Sequence, residues 1–434
     1  MSYSEYKNNG VEWLGEIPSH WQPKRLKFVT SRIVDGTHFT PDYIEQGVPF
    51  LRVTDITKGQ NIDFEKVKRI SEDEHLELNL RCNPKKGDLL LSKNGTIGIP
   101  RVVDWDEPFS IFVSLCLIKP KEEIDVNFLK HIFLSKGIEE QINAGGKTNT
   151  ITNLHLDKIR EFYLSLPPIE EQKQIAKFLD KEVSRIDLLI HKKKQFIDCL
   201  KEKKLAIISN AVTKGLNPDV KMKKNEVEWM ENVPEHWEVW KISHGFKVIG
   251  SGTTPNTEDI EYYEGDINWV TTSELRENDI ESSKKKITEK ALQELSALKL
   301  YPPGTLLIAM YGATIGRLGI LTCNASVNQA CCALSEPIAF DIKFVFYWFI
   351  MAKPVLLSLS AGGGQPNLSQ EIIKNTRIPV PDIVEQTEIV KYIDDEIKKI
   401  EEVIKTGESA LDKLNEYRTA LISSTVTGKI KVID

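Results

Sequence analysis

The feature that most constrains this chain is that it is written twice. VEWLGEIPSHW at 11–21 returns as VEWMENVPEHW at 227–237, an offset of 216 residues at which both Trp, the Pro and the His-Trp pair coincide. GDLLL at 87–91 and GTIG at 95–98 answer to GTLLI at 304–308 and GATIG at 312–316. AGG at 144–146 precedes Asn153-Leu154, as AGGG at 361–364 precedes Asn367-Leu368. LPPIEEQ at 166–172 matches VPDIVEQ at 380–386, and AIISNAVT at 206–213 matches ALISSTVT at 420–427. Landmarks in one order, with a few residues of drift, mark a tandem duplication of about 205 residues per copy.

Each copy has two unlike parts. The first is a series of short β-favouring runs broken by Gly, Pro and Asn, with helical stretches at 126–142 and 344–359, which reads as an α+β globular domain. The second is a long helix: residues 169–212 contain no Gly or Pro. Val183, Ile186, Ile190, Ile197, Leu200 and Ile207 keep a three-four spacing interrupted by Lys193 and Lys204. Ile393, Ile397, Ile400, Ile404, Leu411, Leu414 and Leu421 do the same, with Gly407 and Arg418 as weak points. Such spacing puts the apolar side chains on one seam, the coiled-coil pattern. The first helix carries 10 basic and 7 acidic residues, the second 6 and 10, so opposite charge favours their pairing. The expected domains are globular 1–168, helix 169–212, linker 213–226, globular 227–382, helix 383–427 and a tail at 428–434. An antiparallel helix pair would relate the copies by a pseudo-twofold axis. At 1.5 Å per residue it would hold two globular readers about 65 Å apart.

Composition bounds the function. A hydrophobic fraction of 41% in 434 residues excludes a disordered chain. The longest apolar run, at 344–352, is far shorter than a membrane span, and the polar N-terminus has no apolar signal core. Six cysteines without a C-x-x-C pair point to reduced thiols in a cytoplasmic protein. Chemistry has no evident seat. Gly146-Lys147-Thr148 ends like a phosphate-binding loop, but Gln141 stands where that loop needs glycine, and the second copy has no lysine there. Pro381-Asp382 with Glu396-Ile397-Lys398 imitates a nuclease carboxylate set, yet the latter three belong to a coiled-coil helix. There is no Asn-Pro-Pro-aromatic tetrapeptide, no G-x-G-x-x-G turn, and Cys331-Cys332 are adjacent, a poor geometry for one metal. His20 and His236 recur beside Trp21 and Trp237, as packing framework does. No catalytic residue, metal site or cofactor is expected on this chain.

The Trp…Pro-x-His-Trp opening, the LPPIEEQ boundary before a long helix, and the duplication of both resemble the specificity subunit of type I restriction-modification systems over essentially all 434 residues. Val380-Pro-Asp382 departs by lacking the second proline of the first copy. The resemblance implies a non-catalytic subunit with two target-recognition domains, each reading one half of a bipartite double-stranded DNA target across a fixed spacer. Two methyltransferase (modification) subunits would dock on the helices, and restriction/translocase subunits would join through that methyltransferase core. S-adenosylmethionine, ATP and Mg would reside on those partners, and no membrane is involved. A duplicated protein-only adaptor is the alternative.

Base reading needs polar groups on loops that can enter a groove. In the first copy the DNA-binding candidates are Thr37, His38, Arg52, Lys93, Asn94, Lys147, Thr148 and Asn149. In the second they are Thr253, Thr254, Asn256, Thr272, Tyr311, Arg317, Gln365 and Asn367. Trp13, Trp21, Trp229 and Trp237 read as packing anchors. A net charge of −6 does not announce a nucleic-acid binder, so that expectation rests on the duplication and the resemblance.

Overall fold

The computed structural model describes residues 2–57, 62–144, 153–225, 227, 229–230, 232–359 and 367–432. The chain forms two compact units: residues 1–195 with 408–434, and residues 196–407. The long helices are Ile169–Lys214 and Ile383–Val426, and each contributes one part to each unit.

In the first unit the central sheet has strands β1 (Thr30–Asp35), β2 (Leu89–Ser92), β3 (Pro100–Val102) and β4 (Leu115–Pro120), in the order β1-β4-β2-β3, all antiparallel. The LLL run is continuous because both faces of β2 are covered. Leu89, Leu91, Cys116 and Ile118 pack on helix α2 (Val126–Phe133) and on Ile175 and Leu179 of the first long helix. Leu90, Leu115 and Leu117 face Leu51, Ile56, Phe109 and Ile111. Helix α1 (Glu72–Arg81) is capped by Ser71, whose hydroxyl accepts the Glu74 N–H at 3.2 Å. The helical stretch expected at 126–142 is two helices, α2 and α3 (Lys136–Asn143). The break has a tertiary cause: the Lys136 N–H goes at 2.9 Å to Ser423 Oγ on the second long helix.

The second unit repeats this plan. Strands β5 (Phe246–Gly250), β6 (Asn278–Ile280), β7 (Leu306–Ala309), β8 (Leu318–Leu321) and β9 (Cys331–Pro337) lie in the order β5-β9-β7-β8-β6, with β6 a parallel edge strand that has no counterpart among the described residues of the first copy. Helix α4 (Ile342–Leu359) takes the place of α2 and carries Phe344, Val345, Trp348 and Phe349 into the core. Cys331 and Cys332 alternate across β9, one in each of the two core layers, so adjacency in sequence separates them in space.

In both units the two long helices run antiparallel. Val183 and Ile186 share a core with Leu421, Ile422 and Val426 in the first, while Ile208, Ala211 and Val212 share one with Ile389, Ile393 and Ile397 in the second. Of the expected seam, Val183, Ile186, Ile197, Ile393, Ile397, Ile400 and Leu421 are buried. Ile190, Leu200, Ile207, Ile404, Leu411 and Leu414 are half-buried; beside Ile207, it is Ile208 that is fully buried. Three of the four interruptions are contacts. Lys204 Nζ meets Glu401 at 2.6 Å, Arg418 Nε meets Asp187 at 2.7 Å, and Gly407 makes room for Ile197.

Candidate nucleic-acid interface

The repeated motifs build a keystone where each globular part joins its helix. Trp21 is fully buried and its indole N–H donates to Glu171 Oε1 at 3.1 Å, while His20 Nε2 lies 3.0 Å from Oε2 and the Tyr3 hydroxyl donates to the same carboxylate. In the second copy Trp237 and His236 both reach Glu385 Oε2 at 2.9 Å. The adjacent glutamine ties the boundary down. Gln172 donates to the Pro167 and Glu123 carbonyls and accepts the Asp125 N–H, and Gln386 makes the same three bonds with Pro381, Ala339 and Asp341. The recurring His and Trp are therefore framework. Trp13 and Trp229 are half-buried, and Trp229 stacks near Trp348 at 5.7 Å.

On this framework each copy gathers its loops at one rim. The loop after β1 lies so flat that a Cβ on Gly36 would fall 1.9 Å from the Ile111 carbonyl oxygen; after β5, one on Gly252 would fall 1.6 Å from that of Val327. Only glycine admits this approach. Thr37 N–H then donates to Ile111 O and Val113 N–H to Thr37 O. The loop after β2 joins them: Lys93 N–H donates to Ser114 O at 2.9 Å, its carbonyl accepts from Leu154 at 2.7 Å, and Asn94 bridges Asn153. Ser114 Oγ accepts the Val53 N–H at 3.2 Å, bringing in Arg52, whose guanidinium pairs with Asp55. In the second copy Met310 N–H donates to Ala330 O, Leu368 N–H to Met310 O, and Tyr311 bridges Asn367. Asn328 N–H donates to Val270 O, two residues before Thr272.

Thr37, His38, Arg52, Lys93 and Asn94 thus converge in the first unit, and Thr253, Thr254, Thr272, Tyr311 and Asn367 in the second. Thr37 and Lys93 are buried; His38, Thr254, Tyr311 and Asn367 are exposed. Asn256 lies exposed further along its loop, and Arg317 sits in the β7–β8 turn, its carbonyl accepting the Ala309 N–H at 2.9 Å. Lys147, Thr148, Asn149 and Gln365 lie outside the described residues. Sequence reasoning passed over Asp35, Arg81 and Ser114 in the first rim, and Ser251, Gln329 and Gln370 in the second. There Gln370 Nε2 donates to Ser251 Oγ at 2.8 Å and Thr254 Oγ1 to Gln329 Oε1 at 2.5 Å. Setting SIFVS at 110–114 against SVNQA at 326–330, at the offset of 216, would have exposed Ser114 and Gln329.

The electrostatics centre on Asp35. Burial pushes its carboxyl up, but hydrogen bonds and charge from Lys93 and His38 outweigh that and hold it below the ordinary range. Among the described residues no three His, Cys, Asp or Glu side chains are grouped to hold a metal, and no helix is long and apolar enough to cross a membrane.

The model of the type I restriction modification DNA specificity domain matches residues 18–197 and again 234–407, one match for each copy. The chain belongs to this family. A putative type I restriction enzyme specificity subunit, MjaX, of Methanocaldococcus jannaschii is 24% identical over 96% of this chain and 96% of its own length. The EcoBI specificity subunit of Escherichia coli is 24% identical over 89% of this chain and 81% of its own. A chain from a solved structure on complex assembly and conformational transition of a type I restriction-modification system superposes with a TM-score of 0.71 at 15% identity. It covers 95% of this chain and 99% of its counterpart, a likeness of fold. Both matched specificity-domain segments contain the rims and end within the long helices. Keystone, glutamine ties and flat glycine recur between the two domains, whereas the rim side chains differ.

Proposed function

We propose that this chain is the DNA sequence-recognition subunit of a type I restriction-modification complex, each specificity domain reading one half of a bipartite double-stranded target. The observation that carries this is a constant framework bearing two unlike rims: Lys93, Asn94 and His38 in one copy stand where Met310, Tyr311 and Thr254 stand in the other. Two domains selected for one ligand would keep their rim; two selected for different half-sites would keep only what holds it. The candidates at 37–38, 52, 93–94 and 147–149, and at 253–254, 256, 272, 311, 317, 365 and 367, are the residues proposed to face DNA. The specificity domains span 1–168 and 227–382, and the helices at 169–212 and 383–427 set the number of unread base pairs and dock two methyltransferase subunits. Restriction/translocase subunits join through that core. Catalysis lies with the partners: S-adenosylmethionine, ATP and Mg bind there, and the assembly works in the cytoplasm on chromosomal and incoming DNA.

Two measurements test this. Long-read methylation mapping of a host carrying the subunits together is expected to give a split motif with modified adenines in both halves. A continuous motif would refute two readers. Filter binding of the assembled complex is expected to be sequence-selective with a steep salt dependence; a flat, sequence-blind response would leave a protein-only adaptor.

A further inference from the structure

The first rim contains more positive charge than its fold requires. Asp35 ends β1 with its side chain 4% exposed; Lys93 Nζ reaches Oδ2 at 2.9 Å with its own side chain 6% exposed. A buried carboxylate needs a partner, and this ammonium neutralises it. Yet Arg81 Nη2 also donates to Oδ1 at 2.6 Å, and His38 Nε2 lies 3.2 Å from Oδ2. These two side chains are 54% and 61% exposed, where an ion pair contributes little stability. One carboxylate therefore holds an ammonium, a guanidinium and an imidazole from three separate segments, and the Arg81 charge in excess of it faces outward beside a cleft of about 190 Å³ lined by Thr37, His38, Phe39 and Arg81. The Asn94 Oδ1 atom on the same rim is buried without a partner.

The second copy lacks the device. Ser251 follows Gly250 in β5 and so falls opposite Cys332, as Asp35 falls opposite Cys116. Met310 makes the two backbone bonds that Lys93 makes. Ser251 and Met310 thus stand in place of Asp35 and Lys93, and a knot present in one copy alone is not needed to build the fold.

We propose that Arg81 and His38, oriented by Asp35, bind a backbone phosphate of the DNA half-site read by the first domain, and that the second domain has no such clamp. A phosphate suits the geometry because its oxygens accept from many directions, so an imidazole and a guanidinium from different elements can share it. Reading a base edge instead would call for an uncommitted planar fork, and one amino nitrogen of Arg81 is occupied by Asp35. Asp35 is a positioning residue; Arg81 and His38 are binding residues.

This rests on the DNA-recognition reading, and the experiment separates the two. The full chain, assembled with methyltransferase subunits, is titrated with duplexes bearing the mapped motif at several salt concentrations. Arg81→Ala is expected to weaken binding about 3- to 10-fold, to flatten the slope of log K against log salt by about one, and to do so equally on duplexes altered in either half. Asp35→Ser with Lys93→Met, the pair the second copy carries, is expected to give the same loss and slope change while unfolding at a temperature near that of the parent. Unchanged affinity and slope in both variants would overturn the proposal. Lost discrimination at one base pair with an unchanged slope would overturn it in favour of base reading. If the double variant fails to fold, Arg81→Ala, on a half-exposed side chain, decides. Absence of sequence-selective binding by the parent complex would instead remove the DNA-recognition reading itself.

Discussion

His131 and Tyr347 occupy the same place in the two copies and meet the same need with different chemistry. His131 Nε2 lies 2.8 Å from Asp180 Oδ1, and the Tyr347 hydroxyl donates to Asp394. Burial pushes the His131 pKa down despite that carboxylate, and its Nδ1 is buried without a partner. The neutral ring with its proton on Nε2 is therefore the stable form, since a proton on Nδ1 would be a buried unpaired donor. Because the unfolded ring takes up a proton first, stability falls as pH drops through about 6.5. Asp180 acts further down the scale: burial raises its carboxyl, but bonds from His131 and Lys130 hold it at about 2, so its contribution is present above the ordinary carboxylate range and lost as pH falls towards about 2. His131→Tyr, borrowing the second copy's solution, is expected to flatten the loss of thermal stability between about pH 7 and 5.5 and keep the acid loss below about pH 4; unfolding temperatures across that range check it. At this scale the site was half legible. Of the candidate rim, the loop positions of Thr37, His38, Lys93 and Asn94 were legible because glycines mark their loops. Asp35 could not, because it ends an ordinary strand run, and Arg81 lies on a helix whose approach to Asp35 only the fold reveals.

The repeated LPPIEEQ and VPDIVEQ signalled a boundary in the sequence, and the structure supplies the reason: the Glu holds the Trp and His, and the Gln satisfies two carbonyls and one N–H. Seam periodicity was legible too, but its exceptions were not. Lys204 and Arg418 pair with acids on the facing helix, and Gly407 sits where a Cβ would meet the Ile197 side chain at 3.3 Å. The atoms met there include the far end of a flexible side chain, so the helix-propensity gain outweighs the squeeze. Gly407→Ala is expected to raise stability by about 0.5 kcal/mol in urea melts. Ile393→Ala, at a fully buried position, is expected to cost about 2–4 kcal/mol by the same measurement.

For the whole molecule, duplication was the strongest signal and net charge the weakest. The segment 1–168 carries 22 basic and 24 acidic residues, so a charge count hides a local cationic knot like the one on Asp35. If each domain reads its own half-site, replacing Tyr311 and Gln329 is expected to change or relax one half of the methylated motif and leave the other half and the spacer intact, which methylation mapping of the variant host resolves. The first unit also has an awkward order of assembly. Residues 196–407 are contiguous and can close as they emerge. The first unit, by contrast, needs Val426 to accept the Ser165 hydroxyl, Gly428 to accept from Tyr6 and Ser423 to receive Lys136, over separations of 261, 422 and 287 residues. The first half to be translated is therefore the last to be finished. Until the ribosome has passed residue 428, Trp21 and the core beneath it wait for the helix end that covers them.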